Sequence, residues 1–153
     1  DRATILDLVV RLGMAHHDQG DVEKAAVHFE MARKIEPSTV GPEIKLGQSY
    51  NRRSDYRRAR DSFAEAVQRN PASLPALNNL GVVLMERGEY GEARRVFQQA
   101  FALDSGRTDA IRDNLRLAIA RMQASLYDGT DTDSRFDLIR RGPGVYDLLG
   151  TSG

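Results

Sequence analysis

The sequence predicts an all-α chain built from tandem helical hairpins. Gly13, Gly47 and Gly81 recur at intervals of 34 residues, each preceded by a leucine, Leu12, Leu46 and Leu80. Behind each glycine, at constant offsets, stand Ala25, Ala59 and Ala93, then Phe29, Phe63 and Phe97, then Ala32, Ala66 and Ala100. Pro37 and Pro71 close the first two blocks, and Ser105 takes that place in the third. A period of this length, with small, aromatic, small and proline positions held fixed, marks a repeat architecture whose units stack to complete one another's cores. Such chains present extended binding surfaces rather than catalytic pockets.

The blocks fall at 6–39, 40–73 and 74–107. Each reads as a helix A, a short turn and a helix B. In the first, helix A covers Leu6 to Gln19, Gly20 and Asp21 make the turn, and helix B runs to Glu36. Asp21 suits the N-cap, where its carboxylate accepts an orphan backbone N–H, and Asp55 and Glu89 hold the matching places. Gly20 and Gly88 supply the turn, with Ser54 in their place in the middle block. Pro37 and Pro71 stop helix B because proline lacks the N–H and clashes with the preceding turn. Ser73 is placed to cap the next helix A, with Pro75 tolerated in its first turn. The glycines are expected where helices A and B cross closely, faced by Ala25, Ala59 and Ala93, with the phenylalanines filling the gap to the next block.

Residues 108–127 read as one more helix, capped by Thr108, with Ile111, Leu115, Ala118, Met122 and Leu126 as an apolar stripe. Arg112, Asp113, Arg116, Arg121 and Gln123 give it the polar face that the end of a repeat stack needs. From Asp128 to Ser134 the chain is polar and reads as loop. Two apolar patches follow, Phe136, Leu138 and Ile139, then Val145, Tyr146, Leu148 and Leu149, parted by the turn residues 140–144. This tail, 128–153, is expected to be partly ordered, since so much apolar content is unusual in a disordered segment. A second stripe on the capping helix, Leu117, Ala120, Ala124 and Tyr127, offers it a docking place. It is equally placed to fill the binding surface of its own or a neighbouring molecule, which makes self-association through the tail an expectation.

These residues resemble the tetratricopeptide repeat, a helix-turn-helix unit of 34 residues with the signature W-x2-L-G-x2-Y, A-x3-F-x2-A, P. Tyr50 matches the signature tyrosine, and His16 and Leu84 replace it. Val9, Glu43 and Leu77 stand where the tryptophan would be, and Glu43, the least expected of them, should loosen that contact. The resemblance implies a right-handed α-solenoid of three such repeats, followed by the capping helix and tail. It also implies that helices A line a concave groove. The groove-facing places then hold Arg11, Met14 and His17 in the first repeat, and Lys45, Gln48, Asn51 and Arg52 in the second. Asn78, Asn79, Val82 and Met85 follow in the third, with Arg112 and Arg116 from the cap. Amides can pair with a peptide's N–H and C=O together, and arginine can hold a carboxylate bidentately. The implied partner is an extended protein or peptide segment, with acidic side chains suited to it, and Asn78 and Asn79 are the favoured contacts. The family's clamp for the acidic C-termini of heat-shock chaperones needs lysine, asparagine, asparagine, lysine and arginine, in that order, where this chain has Val10, Met14, Lys45, Pro75 and Asn79. None matches, so that ligand is not expected.

Composition narrows the remaining classes. The 22 lysines and arginines balance 22 aspartates and glutamates, which argues against nucleic acid, whose binding relies on clustered cations. Cysteine is absent, so no thiolate or disulfide chemistry is available. No apolar run reaches the ~18 residues of a membrane span. The chain carries no signal peptide, and its start at Asp1 reads as that of a trimmed or mature form. Location is left open, between the cytoplasm and, after loss of an export signal or lipid anchor, the periplasm. No catalytic, metal or cofactor site is expected. His16 takes a packing place, His28 lies on helix B, and His16 and His17 point about 100° apart on one helix, poor geometry for a shared metal. No H-E-x-x-H, G-x-S-x-G or Gly-Lys-Ser/Thr stretch occurs. Glu23, Asp61, Glu65 and Glu92 read as solvated ion pairs. The segment Arg52, Arg53, Arg57, Arg58 and Arg60 reads as a solvated turn balanced by Asp55, Asp61 and Glu65, with an anion-binding patch as its functional alternative. The favoured role is thus an interaction scaffold or adaptor. Two others stand beside it: a regulatory repeat domain of a larger enzyme or sensor, and a bacterial envelope component. The latter rests on the likeness of the stretch 80–93 to repeat lipoproteins of tight-adherence pilus assembly, a likeness of fold.

Overall fold

The structure is a computed structural model that describes residues 1–38, 40–128, 136–140 and 146–150. They form two compact units, 1–76 and 77–153. In the first, α1 (Arg2–Asp18) pairs with α2 (Val22–Ile35), and α3 (Gly41–Arg52) pairs with α4 (Tyr56–Arg69). The chain enters the second through α5 (Leu74–Glu86), followed by α6 (Tyr90–Asp104) and α7 (Asp109–Tyr127).

The helix starts follow the sequence closely. Asp1 accepts the Thr4 amide at 2.8 Å, Asp21 the Lys24 amide at 3.1 Å and Asp55 the Arg58 amide at 3.3 Å. Ser73 Oγ accepts the Ala76 amide at 3.3 Å, so Pro75 sits inside the first turn where its missing N–H has no partner to lose. Glu89 occupies its N-cap place without capping a helix amide, and its carboxylate instead accepts from Arg87 Nη2 at 3.2 Å. The A–B turns demand a left-handed residue: Gly20 has φ +78°, Gly88 +74°, and Ser54 is held at +59°. A side chain there costs about 1 kcal/mol. Ser54→Gly should therefore stabilise the first unit by about that amount, read as a higher urea midpoint with an unchanged slope.

Each repeat glycine supports the phenylalanine of its own hairpin. A Cβ on Gly13, Gly47 or Gly81 would come within 2.6, 2.6 and 2.4 Å of Phe29, Phe63 and Phe97. The rings are buried with the alanines around them. The rings thus lock helix A to helix B of their own block, and Phe29 also borders Leu46 and Tyr50 of the next. Ile5, Leu8 and Leu12 are exposed along one face of α1. In the second unit, the apolar run Leu80–Met85 is buried on every side of α5.

α7 packs on α6 through Ile111, Leu117 and Ala118, which are buried, while Leu126 near its end is exposed. Beyond it, β1 (Phe136–Arg140) and β2 (Tyr146–Gly150) pair antiparallel with Leu138 opposite Leu148, and β2 runs beside α7. Of the expected polar loop, 128–134, and turn, 140–144, residues 129–134 and 141–144 lie outside the described residues, as does the expected docking of the tail's side chains.

Candidate functional site

The A helices place their expected groove residues in contrasting surroundings. In the first unit, Lys45 and Gln48 are half-buried on α3 and Arg52 is exposed at its end. Arg11 is exposed on α1 and bound to Asp7 at 3.0 Å, one turn earlier, and Met14 is half-buried. In the second unit Asn79 is half-buried, and Arg116 is exposed and paired with Asp113 at 3.5 Å.

His17, Asn51, Val82 and Met85 are buried, against the expectation of an open surface at these places. The reasons differ. Val82 and Met85 belong to a stretch of α5 that is apolar all round, and such a helix is buried. His17 Nδ1 hydrogen-bonds to Ser49 Oγ, also buried, which joins α1 to α3. Burial lowers the imidazole's pKa, helped by Arg52 and then Lys45 and opposed by Asp18, so His17 is neutral at pH 7. Arg112 is also diverted. Its guanidinium donates to the Gly106 carbonyl at 2.6 Å and pairs with Asp109, closing the α6–α7 turn. Asn78 accepts a hydrogen bond of 2.9 Å from Asn114 Nδ2, and Asn114 is fully buried on α7.

Cavities open among the described residues of the first unit, two of them beside the expected site. The smaller, about 180 Å³, is lined by His17, Gly20, Val22, Ser49, Arg52 and Arg53. Arg53 is pinned there by a hydrogen bond from its guanidinium to the Gly20 carbonyl. The larger, about 260 Å³, has Phe29, Leu46 and Tyr50 among its apolar walls and Glu30, Glu43, Asp61 and Glu65 among its polar ones. Arg58 stands over the Tyr50 ring, 5.6 Å from its centre, and pairs with Asp55 and Glu23. The arginine segment therefore divides: Arg58 and Arg60 are balanced by carboxylates, while Arg52 and Arg53 face the smaller cavity.

Glu43 is buried in the tryptophan place of its repeat, with Arg69 Nη1 at 3.1 Å and Arg33 Nη1 at 3.9 Å from one oxygen. Arg33 also pairs with Glu65 and Glu30, and Arg69 with Glu65 and the Pro37 carbonyl, so α2, α3 and α4 are laced by charge. Glu65 thus departs from the expected solvated pair. Neither Glu43 oxygen accepts a well-aligned hydrogen bond, and burial, reinforced by Glu65, pushes its pKa up to about 7 against the pull of Arg69 and Arg33. The sequence flagged Glu43 as odd and Arg53 as part of an arginine cluster; Ser49 and Asn114 gave no signal, because their importance lies in neighbours 32 and 36 residues away.

Among the described residues no group of three or more His, Asp or Glu side chains could hold a metal, and no helix is long and apolar enough to cross a membrane. Paired helices with glycine, alanine and phenylalanine at one fixed register define a helical-repeat protein. Models described as tetratricopeptide repeat match residues 9–31 and 44–108, together more than half of the chain. The chain belongs to the tetratricopeptide repeat family, and α1–α7 have the family's helical-repeat fold, with the β1–β2 hairpin beyond them where the sequence led to an all-α chain. No curated protein sequence matches it significantly. Among solved structures, the Sgt2 TPR domain from Aspergillus fumigatus is similar with a TM-score of 0.71 at 17% identity, over 90% of this chain and 91% of that one. The first TPR of Spaghetti (RPAP3), bound to the HSP90 peptide SRMEEVD, gives 0.69 at 15% identity, over 78% and 97%. The second TPR domain of human RPAP3, in complex with an HSP70 peptide, gives 0.68 at 14%, over 78% and 98%. At these identities the likeness is one of fold.

Proposed function

We propose that the three blocks at 6–39, 40–73 and 74–107, closed by the helix at 108–127, form a protein-interaction scaffold that binds an extended segment of a partner on its A-helix side chains and performs no catalysis. One observation carries this reading. Lys45, Gln48 and Arg52 lie along α3 with no hydrogen bond or ion pair among the described residues, while the neighbouring B-helix charges of Arg33, Arg58 and Arg69 are spent on carboxylates. Polar groups left unpaired on one helix face are available to a peptide's carbonyls and carboxylates. The structurally similar RPAP3 domains hold acidic peptides, which supports a peptide as the ligand class. Their particular peptides do not transfer, since Val10, Met14, Lys45, Pro75 and Asn79 lack the clamp chemistry. Affinity for one short segment should be on the order of micromolar.

A photo-crosslinking amino acid tests the surface. Placed at Gln48 or Asn79 it should capture partner protein in cells, and placed at Gln68, exposed on α4, it should capture none. Adducts from Gln68 alone would move the site to the B helices.

A further inference from the structure

The smaller cavity of the first unit has a composition that the interaction reading does not use. Its walls bring together two arginines, a buried histidine and a buried serine: Arg52, Arg53, His17 and Ser49. They come from two helices and the residue after α3, and the α1–α2 turn closes the pocket through Gly20. Arg53 is held at the mouth by its hydrogen bond to the Gly20 carbonyl, which leaves most of its N–H donors unspent. Arg52 makes no ion pair among the described residues. Lys45 is close enough to act on His17 as well. Against these cations stand Asp18, the next residue along α1, whose charge acts on His17, and Asp21, which is already occupied by the Lys24 amide and ammonium.

The His17–Ser49 pair adds donors without charge. If Ser49 donates to Nδ1, the imidazole keeps its Nε2–H; if Nδ1–H donates to Ser49, the hydroxyl proton is kept. One N–H or O–H donor is left over in either tautomer. Two guanidinium groups and one neutral donor around a cavity of about 180 Å³ suit a compact oxyanion, which offers two or three acceptor oxygens. Every lining residue lies in the first unit.

We propose that this pocket is an oxyanion-binding subsite that receives a carboxylate or phosphoryl group of a bound peptide, with Arg52 and Arg53 as charge partners and the His17–Ser49 pair as the neutral donor. As a peptide subsite it rests on the interaction reading above; as an oxyanion site it can be tested without any partner.

The test is an NMR titration of the full ¹⁵N-labelled chain with inorganic phosphate and, separately, with N-acetylglutamate amide, at matched ionic strength. The Gly20, Ser49 and Arg53 amides and the His17 ring signals should shift together and saturate with at least one of the two probes. Phosphate alone saturating assigns the phosphoryl source, and the glutamate derivative alone assigns the carboxylate. Arg52→Gln should weaken binding about tenfold, because it removes a bidentate charge partner, while Arg57→Gln, an exposed arginine outside the cavity, should leave it unchanged. Arg52 is exposed, so its variant should keep the wild-type circular dichroism. Absence of saturable shifts with both probes overturns the proposal, and so does equal weakening by the Arg57 variant, which would reduce the effect to diffuse charge. A saturating pocket with no crosslinks from Gln48 would sink the interaction reading alone, and crosslinks without saturation would sink the subsite alone.

Discussion

Phe97→Ala is expected to destabilise the second unit by about 4 kcal/mol, the largest effect of any single truncation here. The ring is fully buried, and so are Gly81 opposite it and Ala93 and Ala100 on its own helix. None of these can swell to fill the space, so the cavity persists and adds its cost to the lost transfer energy. Gly81→Ala should also destabilise, by about 2 kcal/mol, since its methyl would lie 2.4 Å from the ring and overpacking outweighs the helix propensity gained. The pair should then fail to add. With Phe97 already removed, the Gly81 methyl enters the vacated space and becomes stabilising. Urea unfolding of the two single variants and the double variant reads this directly. Additive losses would mean that ring and glycine do not share one contact.

Glu43→Gln is expected to remove a pH dependence of about 3 kcal/mol from the first unit. The carboxyl titrates near pH 7 in the folded chain against its ordinary 4.5, so between those values the folded state holds a proton that the unfolded state has lost. Unfolding releases that proton, so the Glu43 contribution to stability falls as pH rises from about 4.5 to 7 and then levels, while that of His17, whose pKa burial lowers, runs the opposite way and is common to wild type and variant. Asp21, Glu36 and Asp104 have lowered pKa values through hydrogen bonds, and what they contribute is lost only on acidification below this window. The variant keeps the shape without the charge. It should match the wild type near pH 5 and exceed it at pH 8 by on the order of 2–3 kcal/mol. A variant that is weaker at pH 8 would show that Arg69 and Arg33 more than offset the burial of Glu43.

Much of the fold was legible in the chain because tandem repeats write the same packing rule several times. One glycine before a leucine says little; three at equal spacing, each with its alanines and phenylalanine, leave few structures to choose from. The site was legible only in outline. Position in the repeat says which helix face a side chain sits on, but not whether that face stays open. Val82 and Met85 show the difference, since their neighbours along α5 made them core. His17 shows it again, as a serine from the next hairpin turned a surface residue into a buried pair.

Helix, turn and cap were set by the sequence alone, because they depend on residues within about one helical turn and on a fixed period. The tertiary structure alone decided the burial of Glu43 between two arginines, the joining of Asn78 to Asn114, and the meeting of Arg52 and Arg53 with His17 and Ser49 around one cavity. Each of these depends on distances between helices that lie far apart along the chain, and those distances are fixed only when the cores pack.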